Sequence, residues 1–590
     1  MKTDFPSLSG LTKSDLAAML GTDIRNPYVG ILFRWIGGRK WSRMQWPSDA
    51  DTAVLSQHLL HALHVSASLV DSHTDAIPAD GPLVVVANHP FGAVDALLLL
   101  DQIHPHRPDL RILVDDQVVA FDQLEPALLR CAKGPEGLRV ALGHLKAGGA
   151  LLVFPAGEVS RFSRDLRTVA DGRWSPLAAW LQRMSGAAVL PVYIDGFGVD
   201  MTRLFEAVHP GLRRLPLVHR PARTFRSLRT SQREIKLRIG GVVRHRDVGA
   251  LQDLDQVTRF LRAKTYALGT SVKVKRKWFE AVRLRGKTEE PLATPVDPAV
   301  LRRELAELPS DALQFEQGGF QCFVAAHEDI PAMIQEIGRL REATFRAVGE
   351  GTNHAIDLDE FDWHYRHLIL WDAKAGALAG AYRVGLGPEI METYGRKGFY
   401  TNTLFRYAQL FRPILAQSLE LGRSFVPVAY QRHRLPLFLL WKGILVQLLK
   451  HPDCRYIIGP VTISNHYNPL SRLLMMHYVR DAVLHDEFAG QVKPRRPYRP
   501  KIAGRRQQDP EALIASIGDD IKRLDRLVSD IEPEGMPVPV LLKRYLAQNA
   551  RILAFNHDPK FNDALDGFMI LDLEDLPEET MSNLQRAFET

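Results

Sequence analysis

Leu83-Val84-Val85-Val86-Ala87-Asn88-His89-Pro90-Phe91-Gly92-Ala93-Val94-Asp95 is the stretch that decides the fold of the first half of this chain. Five consecutive apolar residues read as a buried strand, and a polar pair stands at its end. Ala96 to Leu100 then supplies the apolar surface that seats a helix on a sheet. Farther on, apolar Ala150 to Phe154 leads into Phe154-Pro155-Ala156-Gly157-Glu158-Val159-Ser160, a second strand followed by a turn. An imidazole, with an ordinary pKa near 6.5, can take a proton at neutral pH. A carboxylate on its other nitrogen would hold the tautomer and stabilise the imidazolium, which gives His89 and Asp95 a joint role. The Pro-x-Gly turn is a candidate oxyanion cradle, because Gly157 lets the backbone come close to a ligand.

Asn88-His89 followed by Asp95, then Phe154-Pro155-x-Gly157, resembles the marks of the glycerolipid acyltransferase family. The resemblance implies transfer of a fatty acyl group from a thioester to a hydroxyl, with His89 and Asp95 catalytic. It places Asn88, Phe154, Pro155, Gly157, Glu158 and Arg161 around the substrate. The chain departs from the family in three ways. Five residues, Pro90 to Val94, separate His from Asp where the family has four, and Gly92 is the residue able to absorb the extra one. Ala156 and Val159 replace a Glu and an Arg, leaving Glu158, Arg161 and Arg164 as displaced charges. The family's phosphate-binding block is missing, and the region reads Leu113-Val114-Asp115-Asp116-Gln117. Asp115 and Asp116 would repel a phosphate monoester and suit a cationic or zwitterionic headgroup.

With 590 residues the chain is too long for one core, and its 46% hydrophobic and 24% charged composition is that of a globular protein. Three scattered cysteines, Cys131, Cys322 and Cys454, argue against a disulfide framework or a zinc site. No signal-peptide core opens the sequence, and no run approaches the ~20 apolar residues of a membrane span. Leu435 to Leu449 comes nearest, but Lys442 and Gln447 interrupt it, so it reads as a buried or interfacial helix. The net charge of +7 is uneven. Arginines crowd the stretch from Arg203 to Arg246, Arg238 among them, and Lys273-Val274-Lys275-Arg276-Lys277-Trp278-Phe279 mixes lysine with aromatics. A solvated face is one reading. The other is an anionic membrane surface, at about 1 kcal/mol per basic residue. Trp278 and Phe279 favour a lipid interface over nucleic acid.

Leu83 to Val243 alternates strands and helices, with strands at Leu83–Ala87, Arg111–Val114, Leu151–Phe154, Val189–Ile194 and Glu234–Val243, and a closing helix at Asp253–Leu268. Prolines among charges mark residues 286–315 as a linker. A second α/β unit follows: strand Phe320–Ala325, helix Ile330–Phe345, a hairpin of Leu368–Trp371 with Ala377–Val384, strands Arg423–Val428 and Tyr456–Val461, and late strands after a polar helical insert at Asp509–Ser529. The expected fold class is α/β in two domains, 1–285 and 316–590.

In the second half, Arg341-Glu342-Ala343-Thr344-Phe345, Asp359-Glu360-Phe361-Asp362, Gly380-Ala381-Tyr382-Arg383 and Glu420-Leu421-Gly422-Arg423 resemble acyl-homoserine-lactone synthases. They resemble still more the hemolysin-like ornithine N-acyltransferases of the GNAT superfold. Ile458-Gly459-Pro460-Val461 and Phe555-Asn556-His557-Asp558 extend that likeness. Amine acylation needs a neutral amine and a base or water chain to remove its proton, and Glu420 is the candidate for the carboxylate that orients or deprotonates the amine. Asp359 and Asp362 could hold a cationic amino acid, and Arg341, Arg383 and Arg423 could grip a carboxylate or steady these acids. An ion-pair network that only stabilises the fold is the other reading. Phe345 belongs to the same motif. Arg432 and Arg434, at the start of the apolar helix, are candidates for the phosphopantetheine phosphate. His364 and His367 are three apart, but no third metal ligand accompanies them.

The two likenesses on one chain resemble the bifunctional ornithine-lipid synthases of bacteria. That resemblance implies acyl carrier protein as donor and partner, with coenzyme A as the alternative. It implies ornithine and lyso-ornithine lipid as substrates, no bound cofactor or metal, and a peripheral place on the cytoplasmic face of the inner membrane. Two other readings stand beside it: a single-function lysophospholipid or amino-acid acyltransferase whose other half docks to membranes, and a membrane-associated toxin.

Overall fold

A computed structural model describes residues 52–62, 65–70, 72, 74–115, 122–131, 135–163, 168–196, 233–270, 289–348, 350–481, 488, 490–499, 508–559, 561, 563–578 and 580. Asp116, Arg164, the arginine run up to Arg229, the Lys273–Phe279 run and the side chain of Arg434 lie outside them. The chain forms two compact units, residues 1–274 with 502–536, and residues 275–501 with 537–590.

The first unit begins with helix α1 (Thr52–Ala62) and strand β1 (Val65–Leu69). Then come β2 (Leu83–Ala87), α2 (Ala93–Ile103), β3 (Arg111–Asp115), β4 (Leu128–Cys131), α3 (Pro135–Lys146) and β5 (Ala150–Val153). A small hairpin of β6 (Arg161–Ser163) and β7 (Thr168–Ala170) precedes α4 (Leu177–Ser185), β8 (Ala188–Ile194), β9 (Arg233–Ile239) and α5 (Leu254–Leu268). Seven strands make one sheet in the order β1-β9-β8-β2-β5-β3-β4. Strands β8, β2, β5, β3 and β4 are parallel, while β9 runs antiparallel to β8. Every residue of β2 and β5 is buried, which explains their unbroken apolar runs. The parallel arrangement brings the carboxyl ends of β2, β5, β3 and β8 to one edge, where open α/β sheets bind ligands.

The second unit opens with α6 (Pro298–Glu307), inside the stretch that reads as a linker. Asp297 accepts from Ala299 N at 2.9 Å, Pro298 fits the first turn, and Leu301 and Leu305 are buried, so the prolines here start a helix. Strands β10 (Leu313–Gln317) and β11 (Phe320–Ala325) lead into α7 (Pro331–Ala347), β12 (Arg366–Asp372), β13 (Ala377–Leu386) and the short β14 (Phe405–Tyr407). They are followed by β15 (Ser418–Phe425), α8 (Arg434–Lys450), β16 (Tyr456–Ile463), α9 (Pro469–Asp481) and β17 (Val492–Pro494). The chain then returns to the first unit as α10 (Pro510–Ile517) and α11 (Ile521–Ile531), and re-enters the second with β18 (Arg551–Asp558) and β19 (Ala564–Asp572). The insert at 509–529, placed by sequence inside the second domain, therefore packs with the first. The eight-stranded sheet runs β10-β11-β12-β13-β15-β16-β19-β18, with β15 and β16 its parallel pair. The expected strand at Arg423–Val428 instead begins at Ser418, because ion pairs and hydrogen bonds let Glu420 and Arg423 lie inside a buried strand. Among the described residues no helix is long and apolar enough to cross a membrane.

Candidate active sites

At the end of β2, His89 Nδ1 lies 3.0 Å from Asp95 Oδ2. Hydrogen-bond distance is met there but alignment is not, and Asp95 Oδ1 has no partner. The His89 side chain is 17% exposed and Asp95 is fully buried. Asp95 sits in the first turn of α2, where its Oδ2 also accepts from Phe91 N at 2.8 Å and Gly92 N at 3.0 Å. One carboxylate thus caps the helix and faces the imidazole. Gly92 has φ +76°, so the extra residue between His and Asp is taken up in a turn open to glycine. Burial raises the Asp95 pKa, and the His89 contact opposes that rise. The imidazole stacks on Phe154 from the end of β5, ring centroids 4.1 Å apart.

The two motifs are joined by a residue that pattern reading missed. Buried Asp171 accepts from His89 N at 3.1 Å, Ser160 Oγ at 2.5 Å and Trp174 Nε1 at 2.8 Å. Its own N–H donates to Tyr266 OH at 2.8 Å, and its carbonyl accepts from Arg262 at 3.2 Å. Ser160 N also donates to His89 O at 2.7 Å. The Phe154–Ser160 turn is therefore fixed against the His89 loop at both backbone and side chain. An aspartate 82 positions downstream of His89 carries no sequence signal, whereas its partners span α5 and two turns.

Gly157 has φ +65° and lies exposed at the tip of that turn, with its N–H donating to Phe154 O at 3.0 Å. Pro155 is buried beside it, and its carbonyl accepts from Ser175 N. Glu158 and Arg161 pair with each other at 2.5 Å on the exposed side. Asn88 is engaged twice with β8, donating to Ile194 O at 2.8 Å and accepting from Ile194 N at 2.7 Å. That use makes it a clip between strand ends. Half-buried Asp115 ends β3, two strand spacings or ~10 Å along the same edge from β2. Arg238, part of the expected membrane-facing run, is instead fully buried on β9.

In the second unit, Arg341 of α7 is buried between two carboxylates. It contacts Asp362 at 2.9 and 3.1 Å and Asp357 at 3.0 Å. Arg383 on β13 pairs with Asp359 and lies 3.3 Å from Asp362. Arg423 on β15 lies 3.3 Å from Asp359 and 3.6 Å from Asp357. Three guanidinium groups thus balance three carboxylates, Asp357 being the one the sequence did not single out. Burial alone would raise Asp362 and Asp359, but the arginines outweigh it and hold both below the usual range. Pairing at this depth makes much of the network structural. Two features leave it chemically open. Arg383 Nη2 and Nε and Arg423 Nε have no hydrogen-bond partner, and Arg383 sits 5.1 to 5.6 Å from the rings of Phe361, Tyr365 and Tyr400. Asp359 remains a quarter exposed.

Glu420 is buried under this network. It accepts from Tyr400 N at 2.9 Å, Thr401 N at 2.8 Å, Thr401 Oγ1 at 2.5 Å and Tyr365 OH. Burial raises its pKa, with the hydroxyl bonds pulling it back. Four donors occupy its oxygens, so Glu420 orders the Tyr400–Thr401 turn and is no free base. Two other carboxyls, unmarked in the sequence, have raised pKa values. Burial pushes Asp566 on β19 up to about 7, against a bond from Thr462 Oγ1 at 2.8 Å, and Asp558 adds to the rise. Glu350 is also pushed up to about 7, by burial and then by Asp566. Arg423 faces Asp566, and its guanidinium lies 4.7 Å from the Phe561 ring, which meets Phe345 edge-on at 5.7 Å.

These groups lie near the end of the parallel ladder of the sheet. Strands β15 and β16 pair through Ser418–Tyr456, Leu419–Ile457 and Glu420–Ile458, where the ladder ends. A bulge between the Ala381–Phe425 and Arg383–Gly422 pairs holds Arg423 at φ +51°. Arg432 is exposed just before α8. His364 and His367 do not share a helix: His367 is buried in β12, where desolvation lowers it to about 4. Among the described residues no His, Cys, Asp and Glu cluster suits a metal.

Comparison with known proteins agrees with this division. Residues 58–275 match the family described as acyltransferase, and residues 340–441 match the acetyltransferase (GNAT) domain. A glycine N(alpha)-acyltransferase of Phocaeicola vulgatus is 29% identical over 280 residues, covering 45% of this chain and 83% of its own. One of Bacteroides thetaiotaomicron is 27% identical over 305 residues, covering 49% and 88%. Among solved structures, a 1-acyl-sn-glycerophosphate acyltransferase from Thermotoga maritima is 18% identical, with TM-score 0.25, covering 39% of this chain and 84% of its own. His89 and Asp95 fall in the first match and the Arg341–Arg423 network in the second: the chain is an acyltransferase, with an acyltransferase region in its first unit and a GNAT-like domain in its second.

Proposed function

We propose that this chain builds an amino-acid lipid by two successive acyl transfers. In the second unit the α-amine of ornithine attacks the thioester carbonyl of a 3-hydroxyacyl group carried by acyl carrier protein. A C–N bond forms, the C–S bond breaks, and the proton that the amine gives to the Glu350–Asp566 pair is passed on to the departing thiolate, which leaves as the thiol. A carboxyl with pKa near 7 matches that task. The spare N–H groups of Arg383 and Arg423 suit the ornithine carboxylate, and Asp359 suits its side-chain amine. The donor's phosphopantetheine arm lies beyond the end of the β15–β16 ladder, with Arg432 toward its phosphate.

In the first unit the lyso-lipid hydroxyl gives its proton to the His89 nitrogen turned away from Asp95. The oxygen attacks a second acyl thioester, the turn at Gly157 receives the oxyanion, and His89 returns the proton to the leaving thiol. Asp115 faces the cationic headgroup. The protein works peripherally on the cytoplasmic face of the inner membrane, where its amphiphilic intermediate stays. The observation that carries this reading is the His89–Asp95 pair, set at a parallel-sheet edge in a chain that also holds a GNAT-like domain.

The test is expression in a host without aminolipids, followed by mass spectrometry of its lipids. A diacylated species with an ornithine headgroup is expected, and His89→Ala should stop at the monoacyl form. No new aminolipid would overturn the reading. The names of the two relatives favour glycine as an alternative acceptor. The headgroup mass decides between the two amino acids.

A further inference from the structure

We infer that residues 508–536, which follow most of the second unit in sequence, are a strap that holds the His89 site of the first unit in working geometry. The strap is fastened by buried polar contacts. Asp530 on α11 pairs with Lys264 of α5 at 2.6 Å, both side chains about nine-tenths buried, and its Oδ1 accepts from Gly241 N at 3.1 Å. A Cβ at Gly241 would come within 2.3 Å of that oxygen, so the position accepts only glycine without rearrangement. Fully buried Arg238 donates to Ile531 O and Glu532 O at 2.8 Å each and approaches Leu268 O at 3.4 Å. One guanidinium thereby closes the C-terminal ends of α11 and α5 together, where helix dipoles favour a cation. At the other end, Arg259 of α5 grips Asp509, the cap of α10, through both oxygens. Leu513, Ile517, Leu524, Leu527, Val528 and Ile531 bury the apolar face between these anchors.

Helix α5 connects the strap to the chemistry. The helix that carries Arg259 and Lys264 also carries Arg262 and Tyr266, and these two hold Asp171. Asp171 in turn holds the His89 backbone and the Ser160 hydroxyl. No strap residue touches the imidazole, so Asp530 is a positioning residue. The consequence for activity rests on the O-acyl transfer proposed for His89, whereas the positioning itself does not.

Asp530→Ala, and the milder Asp530→Asn that keeps an acceptor for Gly241, test this in the full chain. Hydrogen–deuterium exchange should rise in peptides covering residues 88–92 and 154–160, more for Ala than for Asn. O-acylation should lose at least about tenfold in kcat with KM little changed, since an ångström of misplacement can cost about 10²-fold. N-acylation by the second unit should stay at the wild-type rate. Tyr266→Phe cuts the link to Asp171, so the Asp530→Ala, Tyr266→Phe double variant should lose less than the product of the single losses. Unchanged exchange in those two peptides, strictly multiplicative losses, or equal falls in both activities would overturn the strap. A wild-type chain that lacks O-acylation but shows the exchange response would support the strap and refute the catalytic reading of His89.

Discussion

His89 and Asp95 show how one carboxylate serves two ends. Asp95 caps α2 through Phe91 N and Gly92 N and meets the imidazole with the same oxygen. Asp95→Asn keeps an acceptor for the cap and removes the charge that supports an imidazolium. O-acylation should fall about 10²–10⁴-fold, the range of general acid–base catalysis, with little change in melting temperature. Asp566 makes the converse case. Its pKa is about 7 in the fold against an ordinary 3.8, so the folded protein holds a proton that the unfolded chain has released. Stability is therefore lost as pH rises from about 4 through 7. Asp566→Asn should be more stable than wild type at pH 8, by a few kcal/mol, with the gap closing near pH 4. Denaturant titrations at the two pH values measure it, and N-acylation by the same variant should collapse.

At the scale of elements, the end of the β15–β16 ladder is shaped by small local choices. Gly459 is the first β16 residue beyond the last pair, and a Cβ there would meet Leu421 O at 2.3 Å. Gly459→Ala should push the two strands apart, lowering stability by about 1–3 kcal/mol and reducing N-acylation more than O-acylation. The bulge at Arg423 is the matching choice on β15. A non-glycine residue at positive φ costs about 1–3 kcal/mol, and here two aspartates and the rings of Tyr400 and Phe561 offset it. Arginine at that position therefore serves the ion network and the bend in the strand together.

For the molecule as a whole, carrying both units on one chain should matter through the intermediate. A His89→Ala chain co-expressed with an Asp566→Asn chain should restore some diacyl lipid, because the lyso-lipid can pass between molecules. The ratio of diacyl to monoacyl lipid should stay below that of the single wild-type chain, since tethering raises the effective concentration at the second step. Lipid mass spectrometry reads the ratio. A co-expressed pair that matches wild type would show that the covalent link confers no advantage.

Composition and order along the chain already determined the two α/β units, most of their strands, and the meeting of His89 with Asp95. Those features are local: apolar runs such as Leu83–Ala87 have one buried solution, and a glycine at 92 permits the turn. Tertiary structure alone decided the rest. Asp171, Asp357, Glu350 and Asp566 are ordinary acids in the sequence, and only distant strands and helices give them their partners and their proton affinities. Glu420 reads in the sequence as a carboxylate that orients or deprotonates an amine, and only the fold shows four donors from the 365 and 400 regions filling its oxygens. The return of residues 508–536 to the first unit was equally hidden. Apolar periodicity tells a helix which face to bury, but says nothing about which surface buries it.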